Sequence, residues 1–483
     1  MSPDVVIVGG GIAGLATGYE LHRRNVSFLI LERASRAGGV ILSEEIDGYT
    51  IDAGPDSLLI SKPEGVRLCN ELGLGERLVS TKPPRLAYVQ RAGRLYALPS
   101  ASVLGIPTRF GPFARTGLFS WRGKLRMGAE LFVAPRQEDT DESVGSFMRR
   151  RFGHEATAYL AEPLLAGIHA GDVDRLSIRA LFPRFVDAER EYGSLIRAFR
   201  RQERQRRAAG PATERHPREI EEGAFKSLPG GLSEMVRALV RALPANSIRL
   251  NAPVTRIDGG GTFHVETADG RNVEPGAVVL AAPAYITSSL VREVDAELAR
   301  LCNEITYVST GTVALAFTCD QIARPLDGSG FVVPRVEGSG ILAATWLSSK
   351  WPNRSPEGRV LIRTFVGGMR DPAALERSDA ELVALSLAAL RPLVGLTGDP
   401  LVSRVYRWER ANAQHEVGHL DRLAAIERRL QHHPGLFVTG SGFRGVGIPD
   451  CVADGRATAK AVADWLATKA GTTEVREHER RSR

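Results

Sequence analysis

The segment from Val5 to Glu32 constrains the fold of this chain more than any other. Val5-Val6-Ile7-Val8 is a short unbroken apolar run, the pattern of a strand buried on both faces of a parallel sheet. Gly9-Gly10-Gly11-Ile12-Ala13-Gly14 follows it, with Gly9, Gly11 and Gly14 in G-x-G-x-x-G spacing. In such a turn one glycine bends the chain sharply, one admits a pyrophosphate to the backbone, and one lets helix and strand pack closely. A helix is expected from Ile12 to about Arg24, its N-terminal amides and dipole aimed at the phosphates. Ser27-Phe28-Leu29-Ile30-Leu31 reads as the second strand and ends on Glu32, placed to accept hydrogen bonds from ribose hydroxyls. Strand, turn, helix, strand and acid in this order select dinucleotide binding over a glycine turn kept for packing alone.

A second glycine-rich turn stands near the other end of the chain. Leu436-Phe437-Val438-Thr439 reads as a strand, and Gly440-Ser441-Gly442-Phe443-Arg444-Gly445-Val446-Gly447-Ile448-Pro449-Asp450 follows, with Pro449 suited to the first turn of a helix. Two such turns suit one long ligand gripped at both ends, as a flavin dinucleotide requires. Just past Glu32 come Arg36 and the Gly38-Gly39-Val40 run, then Asp52-Ala53-Gly54-Pro55-Asp56-Ser57, whose Gly-Pro backbone can lie against a flat ring. In series these segments resemble the flavoprotein amine oxidase superfamily. The resemblance implies FAD, held by Gly9, Gly10, Gly11, Ile12, Ala13, Gly14, Glu32, Arg36, Gly39, Val40, Gly54, Pro55, Asp56 and Ser57. It adds Val254 through its backbone on the adenine side, Trp408 packed by the flavin, and Gly440, Val446, Gly447 and Ile448 in the second turn. The helix after that turn would face the flavin pyrimidine, where negative charge develops on reduction.

The scattered dinucleotide elements imply an α/β fold with a discontinuous, Rossmann-like FAD-binding domain. Its expected pieces are 1–85, 225–285 and 408–470. Residues 86–224 read as a helical, substrate-lining insertion, 286–407 as an antiparallel β-sheet substrate domain, and 471–483 as a polar tail that frays. Within 86–224, the run from Gly105 to Trp121 sets aromatics beside Arg109, Arg115, Arg122, Lys124 and Arg126. It fits either a lipid headgroup layer or an ordinary amphipathic helix pair. Arg197 to Arg218 reads as a solvated charge run.

With 483 residues the chain can build two or three domains, and its net charge of +7 suits an anionic substrate or anionic lipid. No nucleic-acid module is visible. Cys69, Cys302, Cys319 and Cys451 lack metal-ligand spacing and are too sparse for a disulfide framework, so reduced thiols in a cytoplasmic setting are expected. Met1-Ser2-Pro3-Asp4 leads straight into the first strand without a signal peptide, and no apolar run is long enough to span a bilayer.

The remaining segments resemble one family, the oxygen-dependent protoporphyrinogen and coproporphyrinogen oxidases. The resemblance rests on Arg85-Leu86-Ala87-Tyr88-Val89, the run from Glu162 to Asp172, Leu176-Ser177, Trp351-Pro352-Asn353-Arg354, Gly367-Gly368, Trp408, Gly418-His419 and above all Gly445-Val446-Gly447-Ile448-Pro449-Asp450-Cys451. It implies loss of hydride from a meso carbon to flavin N5, repeated three times, with oxygen reoxidising the flavin to give hydrogen peroxide. Water or a backbone carbonyl can take the pyrrole proton, so the protein mainly orients the substrate and tunes the flavin. Arg85 falls where the family pairs a propionate, Trp351 and Val332 where it places an aromatic and an aliphatic against the tetrapyrrole. Gly167 falls in a turn beside the reacting carbon, with its carbonyl free. Protoporphyrinogen IX is favoured because Val332 and Trp351 are apolar; coproporphyrinogen III is the alternative. A flavin amine oxidase and a non-catalytic, flavin-binding membrane adaptor are further alternatives. The resemblance leaves peripheral contact with the inner face of the membrane, and a monomer or dimer, open. Asn412-Ala413-Gln414-His415 departs from the family's Ile-Pro-Gln-Tyr, so no role is assigned to this loop, and His169 and His419 are read as structural.

Overall fold

The computed structural model describes residues 2–98, 102–103, 106–107, 110–208, 223–259 and 262–481. Gly105, Thr108 and Arg109 of the basic aromatic run, and residues 209–222 of the arginine-rich run, lie outside the described residues.

Val5–Val8 forms the middle strand of a five-stranded sheet ordered Ile248–Arg249, Phe28–Leu31, Val5–Val8, Ala277–Leu280 and Leu436–Val438. Every pairing is parallel. Its continuous apolar runs follow from burial on both faces. Val5 and Ile7 enter one cluster with Leu15, Leu21, Met235 and Val452. Val6 and Val8 enter another with Leu290, Leu298 and Ile426. Parallel pairing places the turns that follow Val8 and Val438 at the same edge of the sheet, the edge at which ligands bind in open α/β sheets. The first helix, Ile12–Arg23, packs against the closing helix, Ile448–Arg481. That closing helix continues through the polar tail, where fraying was expected after residue 470.

A seven-stranded sheet forms the second layer system, ordered Val402–Ala413, Tyr307–Thr318, Arg359–Gly367, Ala343–Trp346, Gly330–Val332, Ala87–Arg91 and Arg94–Ala97. Two features differ from the sequence expectation. The Ala87–Arg91 and Arg94–Ala97 hairpin, assigned to the helical segment, joins this sheet, and it pairs parallel to Gly330–Val332, so the sheet is mixed. Val402–Ala413 runs unbroken across the expected boundary at 407. Hydrogen-bonding demand explains both: each strand completes the ladder of a neighbour distant in sequence.

The helical part packs Phe147, Phe152, Leu160, Leu165, Phe185, Leu195 and Phe199 into one core. The described start of the arginine-rich run is helical. The Leu195–Ala208 helix buries Leu195, Ile196, Ala198 and Phe199 and exposes Arg197, Arg201, Gln202, Arg204 and Gln205. Arg151 and Glu130 are both fully buried and joined by a charge-assisted hydrogen bond, and Glu130 also accepts from Ser194 and from the Leu195 and Ile196 amides. Such a pair persists only because its remaining hydrogen bonds are met. Among the described residues no helix is long and apolar enough to cross a membrane.

Candidate active site

The three glycines of the first turn have separate tasks. Gly9 has φ +112°, and a Cβ there would fall 2.6 Å from the Ala281 carbonyl oxygen. A Cβ on Gly14 would stand 2.0 Å from the Gly9 carbonyl oxygen, so this glycine lets the first helix sit down on its own turn. Gly11 is different: a Cβ there meets no atom within 4 Å. The open position is the one that a pyrophosphate needs. Gly10 and Gly11 lie against the Gly38-Gly39-Val40 loop through the Gly38 amide, which donates to the Gly10 carbonyl at 2.8 Å. Glu32 is buried at the end of its strand and accepts from the amides of Gly10 at 2.6 Å and Ala34 at 2.8 Å. A carboxylate has about four acceptor positions, so capacity remains for ribose hydroxyls. Val254 begins a strand beside it, and the nearby Ala252 amide donates to the Glu32 carbonyl at 2.9 Å. Arg36 spends its guanidinium on the carbonyls of Gly39 at 2.6 Å, Ile41 at 3.1 Å and Ala37 at 3.3 Å, and so shapes this loop.

The second turn meets the first. A Cβ on Gly440 (φ +114°) would lie 3.8 Å from the Cβ of Ala13. Asp454, in the first turns of the closing helix, accepts from the Gly440 amide at 3.0 Å and the Thr439 hydroxyl at 2.7 Å. Val446 and Gly447 are half-buried and Ile448 is buried as the helix begins. Lys62 pairs with Asp450 at 2.7 Å beside this N-terminus.

The 52–57 turn forms a third wall and rests on buried charge. Arg363 donates to the carbonyls of Asp52 and Gly54, the latter at 2.7 Å. Trp408 Nε1 donates to the Ala53 carbonyl at 3.0 Å, and its ring lies 3.7 Å from where a Gly54 Cβ would stand. Pro55 and Ser57 are half-buried, while Asp56 is buried and accepts from Lys350 Nζ at 2.9 Å and Trp351 Nε1 at 3.1 Å. Burial alone would raise its pKa, but the Lys350 ammonium and Arg363 guanidinium hold the Asp56 carboxyl well below the usual carboxylate range.

The residues assigned to substrate fall in three places. Gly167 is not in a turn. It lies in the last turn of the Glu162–His169 helix, whose left-handed end is Ala170 (φ 52°). Carbonyls in a last turn have no amide four residues on within the helix; here that of Ala166 accepts from the Ala170 amide at 3.0 Å and that of His169 from Gln414 Nε2 at 2.9 Å. A Cβ on Gly167 would stand 3.3 Å from Val332 Cγ1 and 3.7 Å from Ala343 Cβ, which brings Gly167 and Val332 together over the seven-stranded sheet. Arg85 precedes the Ala87–Arg91 strand and donates through Nε to the Thr81 carbonyl at 3.0 Å and hydroxyl at 3.2 Å. Val89 pairs with Val332, and Arg85 stands four residues before Val89, outside the strand and in the left-handed region (φ 57°). Trp351 is completely buried behind the 52–57 turn, bonded to Asp56. It presents no surface to a tetrapyrrole and acts as a support for the turn. Its aromatic-in-pocket assignment is therefore corrected.

Sequence reasoning missed the supports: Asp454, Arg363, Lys350, and the loop at 412–419. Gln414 Nε2 donates to the His169 carbonyl at 2.9 Å, tying this loop to the Glu162–His169 helix. Asp454 falls four residues after Asp450 on one helix face, which was a readable signal. Arg363 and Lys350 carried none, because nothing local announces that a charged residue will be buried.

Residues 12–463 match the family described as flavin containing amine oxidoreductase. The chain is 34% identical over 470 residues to coproporphyrinogen III oxidase of Bacillus subtilis (strain 168), covering 96% of this chain and 97% of that protein. It is 30% identical over 482 residues to the chloroplastic protoporphyrinogen oxidase of Nicotiana tabacum, covering 96% and 86%. A crystal structure of an Exiguobacterium sp. 255-15 protein, 31% identical, superposes with TM-score 0.83 over 96% of this chain and 99% of that one. The chain belongs to the flavin containing amine oxidoreductase family and is an FAD-containing oxidoreductase. The open position at Gly11, the spare capacity of Glu32 and the facing glycine turns fit that cofactor.

Gly11→Ala separates cofactor contact from folding. Because the added methyl meets no protein atom, the stability of the apoprotein should change by less than about 0.5 kcal/mol, while FAD affinity falls at least about tenfold. Urea unfolding of the apoprotein and fluorescence titration with FAD check this; unchanged affinity would contradict the assignment of Gly11.

Proposed function

We propose that this family member uses FAD and oxygen to oxidise a porphyrinogen to the porphyrin, with coproporphyrinogen III as the favoured substrate. The observation that carries the reading is the nearly end-to-end 34% identity to the Bacillus subtilis coproporphyrinogen III oxidase. The net charge of +7 is consistent with a substrate bearing four propionates. Protoporphyrinogen IX is the second reading, supported by the 30% identity to the tobacco enzyme and by the apolar Gly167–Val332–Ala343 floor. One of its two sequence arguments, an apolar Trp351 in the pocket, is lost with the burial of that residue.

When bound, FAD would supply a two-electron oxidant for the meso C–H bond, with oxygen as the terminal acceptor and hydrogen peroxide as product. The chain's own work is orientation and exclusion of water. Gly167 lets its helix lie close on Val332, and a side chain there would push the helix away from the sheet. The closing helix directs its N-terminus at the flavin end, with Val446, Gly447 and Ile448 leading into it. The pyrrole proton passes to water or to a backbone carbonyl in the last turn of the Glu162–His169 helix. Arg85 binds a propionate, its guanidinium oriented by the Nε contacts to Thr81.

A peripheral membrane contact is proposed on the helical part. Trp121 and Leu125 stand one helical turn apart, 71% and 73% exposed, and Phe132 is 85% exposed. Lys124 lies 4.6 Å over the Trp121 ring. Trp121 and Leu125 share their helix with Arg122, which is exposed, and Lys124, a combination that suits an anionic headgroup layer.

Purified yellow protein should convert colourless coproporphyrinogen III into fluorescent coproporphyrin with oxygen uptake, with a higher kcat/KM than on protoporphyrinogen IX. Flavin-loaded protein inactive on both would contradict the reading, and the reverse preference would select the second substrate. Arg85→Ala should raise KM about tenfold or more with a smaller change in kcat, since a propionate contact acts in the ground state; steady-state kinetics with an unchanged KM would remove Arg85 from the site. In vesicle co-sedimentation, a Trp121→Ser/Leu125→Ser/Phe132→Ser variant should lose binding to anionic vesicles, and equal binding by both proteins would contradict the membrane surface.

A further inference from the structure

The 440–447 turn is held from behind by two histidines. His415 follows the Val402–Ala413 strand and His419 opens the His419–Leu430 helix; they are 4% and 1% exposed. Their rings stack with centroids 3.9 Å apart and planes 10° apart. His415 Nε2 lies 3.1 Å from the Ser441 carbonyl oxygen and His419 Nε2 lies 2.8 Å from that of Phe443. A carbonyl oxygen only accepts, so both Nε2 atoms carry hydrogen and donate. In a neutral ring Nδ1 is then bare, and His419 Nδ1 is buried without a hydrogen-bond partner. A second proton on either ring would set a charge in a dry site, stacked on its neighbour.

We propose that the His415–His419 stack is a positioning pair: while both rings are neutral it keeps the 440–447 turn in its cofactor-holding shape, and acidification releases FAD by protonating the rings as the turn opens. This rests on the reading that the 440–447 turn grips the flavin end of FAD. The surroundings favour neutral rings. Burial pushes His415 down to about 3, with His419 and His169 adding to the effect. Burial also lowers His419, with Arg422 adding to this and Asp141 opposing it. His169 itself is pushed down to about 4 by burial, with Lys62 adding and Asp450 opposing. Among the described residues no carboxylate bonds either stacked ring; Asp141 accepts instead from the Gly418 amide and the Ser177 hydroxyl.

In an opened, hydrated turn the rings return toward the ordinary histidine value of about 6.5. Because burial lowers both rings in the closed turn, below that value the open turn binds more protons than the closed one. Each pH unit of acidification then favours opening by up to about tenfold per histidine, and above about pH 6.5 the pair is silent. Gln414 transmits the change to the substrate side, because it joins the same loop to the His169 carbonyl.

The test uses the holoprotein, with FAD release followed by flavin fluorescence between pH 8 and pH 4.5 and far-UV circular dichroism confirming that the fold persists. The dissociation constant for FAD should be flat above pH 6.5 and rise below it with a log slope between one and two. His415→Tyr keeps a stacked ring with a donor and removes one titrating group, so its slope should fall by about one while its affinity at pH 8 stays within about threefold. His419→Gln, whose amide can still donate to Phe443, gives the same comparison should the tyrosine variant not fold. Equal slopes in variant and unaltered protein would overturn the proposal. Val446→Glu, measured at pH 8, tests the underlying reading separately. An affinity loss of tenfold or more upholds the grip of the turn on FAD, so that unchanged slopes then count against the histidines alone, whereas an unchanged affinity overturns the grip itself.

Discussion

The close approach of the first and closing helices is the constraint on which the site depends. Gly455 lies so near the first helix that a Cβ there would stand 2.5 Å from the Ala13 carbonyl oxygen. The Thr17 hydroxyl bonds both the Ala13 carbonyl, at 2.9 Å, and the Gly455 carbonyl, at 3.1 Å, joining residues 438 positions apart. A larger residue at 455 would part the helices and with them the turns that precede each one. Parallel pairing of Val5–Val8, Ala277–Leu280 and Leu436–Val438 sets the two turns at one edge, and the helix contact sets their separation. A discontinuous domain thus acquires a single ligand groove.

Buried charge stabilises the third wall of that groove. Asp52 pairs with Arg354 at 2.9 Å and Asp56 with Lys350 at 2.9 Å, all four side chains being largely or wholly removed from water. Burying ions is unfavourable unless each is paired and hydrogen-bonded. Further donors go to neighbouring oxygens, Arg363 on the Asp52 and Gly54 carbonyls and Arg354 on the Pro229 carbonyl at 3.3 Å and the Ser227 hydroxyl at 3.0 Å. Arg354 Nε and Arg363 Nε are buried without a hydrogen-bond partner among the described residues. The 52–57 turn is therefore held by directional bonds and not by apolar packing alone. Loss of any one partner would leave a neighbouring charge exposed to the low dielectric, so the wall holds or fails as a unit.

The parts of the fold legible in sequence were those with local causes. Val5–Val8, the Ile12–Arg23 helix and Phe28–Leu31 match their expected limits within a residue or two, because apolar runs and glycine spacing act over a few residues. The meeting of Gly440 with Ala13 was implied by two turns wanting one ligand. What could not be read was long-range. Trp351 looks like a pocket aromatic until Asp56, 295 residues away, is seen to accept its indole N–H. The run that starts at Arg197 reads as solvated, and Arg197, Arg201 and Arg204 are exposed, but Ala198 and Phe199 continue a buried stripe begun by Leu195 and Ile196 just before it. His415 departs from the related family and so carried no assignment, although it stacks on His419 behind the second turn.

Hydrogen–deuterium exchange of the apoprotein with and without added FAD tests the central claim, that one cofactor spans both glycine turns. Protection should rise together, at a single FAD concentration, in peptides covering residues 9–14 and 440–447, with a smaller rise at 52–57. Protection confined to the first turn would contradict the account, because the second would then stand outside the cofactor site.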